Sequence, residues 1–213
     1  MTTLFKNYSH ASKETYDAID EAFMFFNAEL FESRLPHPFF TLQRKKGAHG
    51  YFWAEQYQNR GKTETAHEIA LNPLTMCRDT KTVLSTLVHE MVHLEQQEYG
   101  TPGKGGNHNK EWGEFMDRIG LTPTSTGQPG GKRTGRKVTH MIVEGGPFDV
   151  ACDKLLSLGY SLHWHATEQQ LKAKPKDLSK VKHTCPCCGQ NAWGKLGIRI
   201  VCGDCEEMME AAQ

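Results

Sequence analysis

Tyr16, Ile19, Phe23, Phe26, Leu30 and Phe31 recur at three- and four-residue steps. That is the spacing of one face of a helix, and it predicts a helix over 12–33, ended by Pro36 and Pro38. Alternation replaces this period over 39–44, which reads as a strand. After a turn at 47–50, Tyr51, Phe52 and Trp53 predict a second strand. A polar connection over 56–65 leads to a third strand at 67–72, closed by Asn72-Pro73. The helical period returns in Val83, Leu84, Leu87, Val88, Met91 and Leu94. Asp79 or Thr80 supplies an N-cap and Gly100 with Pro102 a stop, so a helix is expected over 79–99. A Gly-rich loop, 100–107, precedes a further helix over 109–119. The order predicts an α+β core with its helices packed on a small antiparallel sheet.

Beyond this the pattern weakens. Residues 121–137 are poor in apolar positions, rich in Gly, Thr and Pro, and basic from Lys132 to Lys137, the composition of a flexible linker. A strand is expected over 138–143, a helix over 147–158 with Pro147 in its first turn, and a strand over 160–165. A polar, Lys-rich tether is expected over 168–182, and an acidic, fraying end over 206–213. Three regions follow: a core over 12–120, a basic linker with a small α/β extension over 121–182, and a cysteine-rich module over 183–206.

Composition narrows the setting. The 213 residues carry 25 Lys plus Arg and 25 Asp plus Glu, so net charge favours neither nucleic acid nor membranes as a partner. No run approaches the length of a membrane span, and the first ten residues lack the basic-then-apolar order of a secretory signal. A cytoplasmic protein without a membrane partner is therefore expected. In that reducing setting, four of the seven cysteines at metal-ligand spacing favour zinc over disulfides.

The chemistry begins at His89-Glu90-Met91-Val92-His93, an HExxH sequence inside the expected helix over 79–99. Residues four apart share a helix face, so His89 and His93 can hold one Zn²⁺ while Glu90 reaches a water bound to it. A catalytic zinc usually takes a third protein ligand. The metzincin continuation is absent, because Gln96 and Tyr99 replace its Gly and His. His108, Glu111 and Glu114 remain as candidates. A glutamate would resemble the thermolysin arrangement, whereas the glycines before His108 favour that histidine. Tyr51, Tyr99 and His67 are candidates for stabilising an oxyanion, with no pattern to choose among them.

Several segments together resemble the SprT-like metalloprotease family, to which the Spartan proteases belong. They are Asn27-Ala28-Glu29-Leu30-Phe31 with Leu35-Pro36, Gly50-Tyr51-Phe52, Ile69-Ala70-Leu71-Asn72-Pro73, Thr86 to His93, and His108 followed by Glu111-Trp112. One departure is Asn109, where the family often has glycine. The resemblance implies a zincin-like metalloprotease core, with catalytic zinc on His89, His93 and His108 and Glu90 as general base. It also implies a protein substrate. Relatives that cleave proteins crosslinked to DNA make DNA a candidate partner, for which Arg44-Lys45-Lys46 and Lys132 to Lys137 are the basic stretches here.

Near the C-terminus, Cys185-Pro186-Cys187-Cys188 and Cys202-Gly203-Asp204-Cys205 form two CxxC knuckles thirteen residues apart. Cys185, Cys188, Cys202 and Cys205 complete a tetrahedral site for a structural zinc, with a strand-like stretch over 193–201 between them, as in a zinc ribbon. Cys187 is surplus, and Cys77 and Cys152 are expected to be ordinary buried residues. The leading expectation is a zinc endopeptidase with one catalytic and one structural zinc. The competing one is a nucleic-acid-binding zinc-ribbon protein whose metalloprotease-like domain is a scaffold or regulator. A third is a hydrolase of another amide or ester.

Overall fold

The computed structural model describes residues 10–167 and 180–211, so residues 168–179 of the tether expected over 168–182, the first nine residues and the last two lie outside the described residues. The fold is mixed α+β, and the described residues fall into two compact units, one within 1–167 and one within 168–213.

In the first unit, helix α1 (Ala11–Phe31) buries Ile19, Phe23, Phe26 and Phe31, the face its periodicity marked. Strands β1 (Phe39–Leu42), β2 (Gly50–Gln58) and β3 (Thr65–Leu71) form a sheet in the order β1-β3-β2. The sheet is not wholly antiparallel as expected, since β1 runs parallel to β3 and only β2 is antiparallel to it. The cause lies in the crossover over 43–49, which rounds the end of β3 instead of folding back as a hairpin. Asn72 pins it there, its side-chain amide donating to Lys45 O (2.9 Å) and Ala48 O (2.8 Å).

Helix α2 (Thr80–Tyr99) starts where Asp79 accepts the Thr82 N–H and stops at Gly100. Its buried residues include Leu84, Leu87, Val88 and Met91, which share a core with α1, β3 and helix α3 (Lys110–Arg118). Segment 121–137 is not simply a linker: strand β4 (Leu121–Thr124) pairs antiparallel with β5 (Thr139–Ile142). Helix α4 (Pro147–Ser157) then closes on α1, with the Phe148 and Phe26 rings 5.6 Å apart. The strand expected over 160–165 does not form. That segment is held to α1 by side chains instead, Tyr160 OH donating to Ala18 O (3.0 Å) and Trp164 Nε1 to Glu14 (2.8 Å).

In the second unit, strand β6 (Val181–Thr184) lies between β7 (Asn191–Gly194) and β8 (Glu210–Ala211). Two corrections follow. The strand between the knuckles stops at Gly194, and the acidic end pairs with β6 through Glu210 and Ala211 instead of fraying there. The two knuckles share one backbone design. Cys185 N donates to Gln190 O and Cys202 N to Glu207 O, while Gly189 N returns to Cys185 O and Glu206 N to Cys202 O. Each turn needs a residue at positive φ after its second cysteine, supplied by Gly189 (73°) and Glu206 (54°).

Candidate metal centre and cleft

Two groups of metal-ligating side chains come together among the described residues. One nitrogen from each of His89, His93 and His108 lies within 4.8 Å of the others, and so do the sulfurs of Cys185, Cys188, Cys202 and Cys205. Each group can hold a metal ion. The other third-ligand candidates point elsewhere: Glu111 accepts from Gln96 Nε2 (2.6 Å) and Thr101 N (2.7 Å), and Glu114 pairs with Lys110.

One helical turn sets His89 and His93 on a common face of α2, and the start of α3 delivers His108. Asn109, the departure from the resembled pattern, has a definite role there. Its side-chain oxygen caps α3 at Trp112 N (2.9 Å) and accepts from Gln96 (2.8 Å), while its amide donates to Thr101 O (2.8 Å). The loop before His108 is thereby tied to α2. Trp112, fully buried, is the platform beneath all three imidazoles, with ring centroids 4.9, 5.2 and 4.2 Å from those of His89, His93 and His108.

Outer hydrogen bonds set the tautomers. His108 Nδ1 donates to Gly135 O (2.8 Å), and the two backbones exchange bonds as well, leaving Nε2 with its lone pair. For His89 the tautomer is fixed from a carbonyl, which can only accept. Ser85 Oγ donates to Thr82 O (2.9 Å), so it accepts from His140 Nε2 (2.9 Å). Neutral His140 then accepts at Nδ1 from His89 Nδ1–H (3.0 Å), and His89 keeps its Nε2 lone pair. Burial holds all these rings neutral. It is the main cause pushing His93 down to about 3, His140 to about 4, and His89 and His108 below the usual imidazole value. Neutral imidazoles with free lone pairs are the donor set zinc prefers, so the residues present fit the ion.

Glu90 lies on α2 beside these ligands and is 5% exposed. Burial raises its carboxyl to about 8 against the opposing pull of Lys45 and the Phe52 N–H. Gly50 on β2 is what lets strand and helix meet there. A Cβ at Gly50 would lie 3.1 Å from Glu90 Oε1 and 2.9 Å from Ala70 O. A cleft of about 1230 Å³ holds Glu90 and the three histidines, and Lys45, Lys46, His49, Tyr51, Arg136 and Lys137 also line it. Of the oxyanion candidates, Tyr51 lines this cleft, whereas Tyr99 OH donates to Arg34 O and His67 bonds to Glu55 N and Glu98.

At the other centre, Cys185 and Cys202 are buried and the surplus Cys187 is exposed. The Cys188 N–H, then that of Cys187, draws the Cys185 thiol down to about 7, which favours the thiolate a metal needs. Cys152 is buried as expected, but Cys77 is exposed, a correction.

Sequence reasoning missed His140 and Gly135. His140 sits in the short strand β5, and no local spacing links it to His89, 51 residues away.

The profile of the SprT-like family matches residues 19–133, more than half of the chain. A Salmonella typhimurium protein described as an uncharacterized protein in the mucB 3′ region is 41% identical over 56 residues, 26% of this chain and 76% of that protein. No solved structure gives a significant match.

Proposed function

The chain belongs to the SprT-like family, and from that premise we propose that it is a zinc-dependent endopeptidase. The observation that carries the proposal is the convergence of three neutral histidines, two buried and His93 half-buried, beside a buried glutamate in one open cleft. His89, His93 and His108 would hold the catalytic zinc, and the four knuckle cysteines a structural one. The catalytic zinc supplies a Lewis acid that polarises a peptide carbonyl and makes a water acidic near neutral pH.

The remaining work belongs to the chain's own residues. Glu90 accepts the proton of the attacking water as its oxygen adds to the carbonyl carbon, then carries that proton to the leaving amide nitrogen as the C–N bond breaks. Trp112 and the outer partners Gly135 and His140 keep the three imidazoles in place while this happens. Lys45 and His49 line the same cleft and offer donors to the developing oxyanion.

We extend the proposal to proteins bound or crosslinked to DNA. Support comes from Lys45, Lys46, Arg136 and Lys137 around the cleft, two basic stretches distant in sequence that the fold brings to one opening. The experiment is incubation of the zinc-loaded protein with an unfolded protein, with and without DNA and with a chelator. Chelator-sensitive cleavage supports the endopeptidase, and stimulation by DNA that fades with added salt supports the DNA-linked role. Absence of cleavage under every condition contradicts the first; cleavage indifferent to DNA contradicts the second.

A further inference from the structure

A smaller chamber of about 280 Å³ is lined by His140, the ring that also bonds to His89. It shares His49, Thr86, Thr139 and His140 with the main cleft, so the two cavities adjoin. Its remaining wall includes Arg78, Thr82 and Ser85, and no aspartate or glutamate lines it.

Arg78 is the unusual member. It is half-buried, and Asp79, whose charge acts on it, caps α2 at Thr82 N instead of forming an ion pair with it; no salt bridge to Arg78 is present among the described residues. The guanidinium is not loose. Its Nε donates to Thr75 O (2.7 Å) and Nη2 to Thr86 Oγ1 (3.1 Å), which fixes the plane while Nη1 takes no partner among the described residues. Neighbouring donors are also uncommitted, since the Thr139 hydroxyl and the His49 ring make no side-chain hydrogen bond among the described residues. A half-buried, immobilised cation with a spare donor and no ion-pair partner is a receptive site for an anion. The planar fork suits a carboxylate in particular.

We propose that this chamber is a specificity subsite that takes the acidic side chain, Asp or Glu, of a peptide bound across the zinc site, with Arg78 as its anchor. A peptide substrate favours this occupant because chamber and cleft adjoin at His140, one ring removed from His89. A side chain near the scissile bond is therefore within reach of it. The proposal rests on the endopeptidase reading, and the test separates the two.

Two readouts are taken with a peptide series in which Glu and Gln are exchanged at each position around the cleavage site. The first is binding to the zinc-loaded Glu90→Gln protein, measured by fluorescence anisotropy. The second is kcat/KM with the wild-type enzyme. At one position, Glu should exceed Gln by about tenfold or more in both readouts, the worth of a charge-assisted bond to a buried partner. Arg78→Met should bring that ratio close to one, and Arg78→Glu should reverse it in favour of Lys over Gln. The ratio is an internal control, and the wild-type comparison stands even where a variant folds poorly. Equal treatment of Glu and Gln at every position overturns the subsite. So does Arg78-dependent binding of a short oligonucleotide without a Glu preference, which would assign the chamber to a phosphate. A Glu preference in binding with no cleavage by the wild-type protein would keep the subsite and defeat the endopeptidase.

Discussion

At Glu90 two demands oppose one another, because a carboxylate useful for proton transfer is placed where ionisation is costly. Burial raises the group to about 8 in the metal-free protein, well above the 4.5 of an unburied glutamate. Between those values the folded chain holds a proton that the unfolded chain has released. Metal-free stability from this group therefore falls as pH rises from about 4.5 to about 8. Glu90→Gln removes the penalty. It should raise the Tm of the metal-free first unit by roughly 5–10 °C at pH 8, with the gain shrinking towards pH 4.5, as calorimetry would show. His140 supports a different residue-scale expectation. With the Ser85–His140–His89 chain broken, His89 loses the acceptor that sets its tautomer. His140→Ala should weaken zinc binding by about 10–100-fold in chelator competition; unchanged affinity would remove His140 from the site.

Among the elements, α2 was the most legible, because apolar spacing, cap and stop all agree over one continuous stretch. It is also the element that holds the unit together. Glu95, fully buried on α2, pairs with Arg34 beyond α1 and with Arg118 at the end of α3, and Arg118 reaches back to Leu30 O. Removing the carboxylate leaves two guanidinium groups without their shared partner. Because Arg34 and Arg118 are themselves partly exposed, Glu95→Ala should cost about 1–3 kcal/mol in denaturant unfolding, still more than loss of an exposed pair. The elements that were misread share one cause. The parallel pairing of β1 with β3, the β4–β5 ribbon and the side-chain docking of 160–165 are set by distant partners, and hydrophobic period carries no record of a partner. The site follows the same division. His89, Glu90 and His93 were legible as one helical turn, and the cysteines as paired knuckles. His108 was legible by the resemblance and the glycines before it, whereas Gly135, His140 and Arg78 came only with the fold.

At the scale of the whole molecule, two compact units each carry one metal-ligand group, so metal content should divide between them. The purified chain should hold two zinc ions. His108→Ala should reduce this to about one while the cysteine module keeps its zinc, and Cys185→Ser should remove the other; a value of two in both variants would contradict the assignments. Among the described residues, no helix is long and apolar enough to cross a membrane. The central claim is that hydrolysis runs through Glu90 at the histidine centre. It is tested most directly by assaying cleavage of an unfolded protein with zinc-matched wild-type and Glu90→Gln samples. The account predicts equal zinc in both and hydrolysis in the wild type alone, lowered at least about 100-fold in the variant. A Glu90→Gln protein that cleaves as fast as the wild type would contradict it.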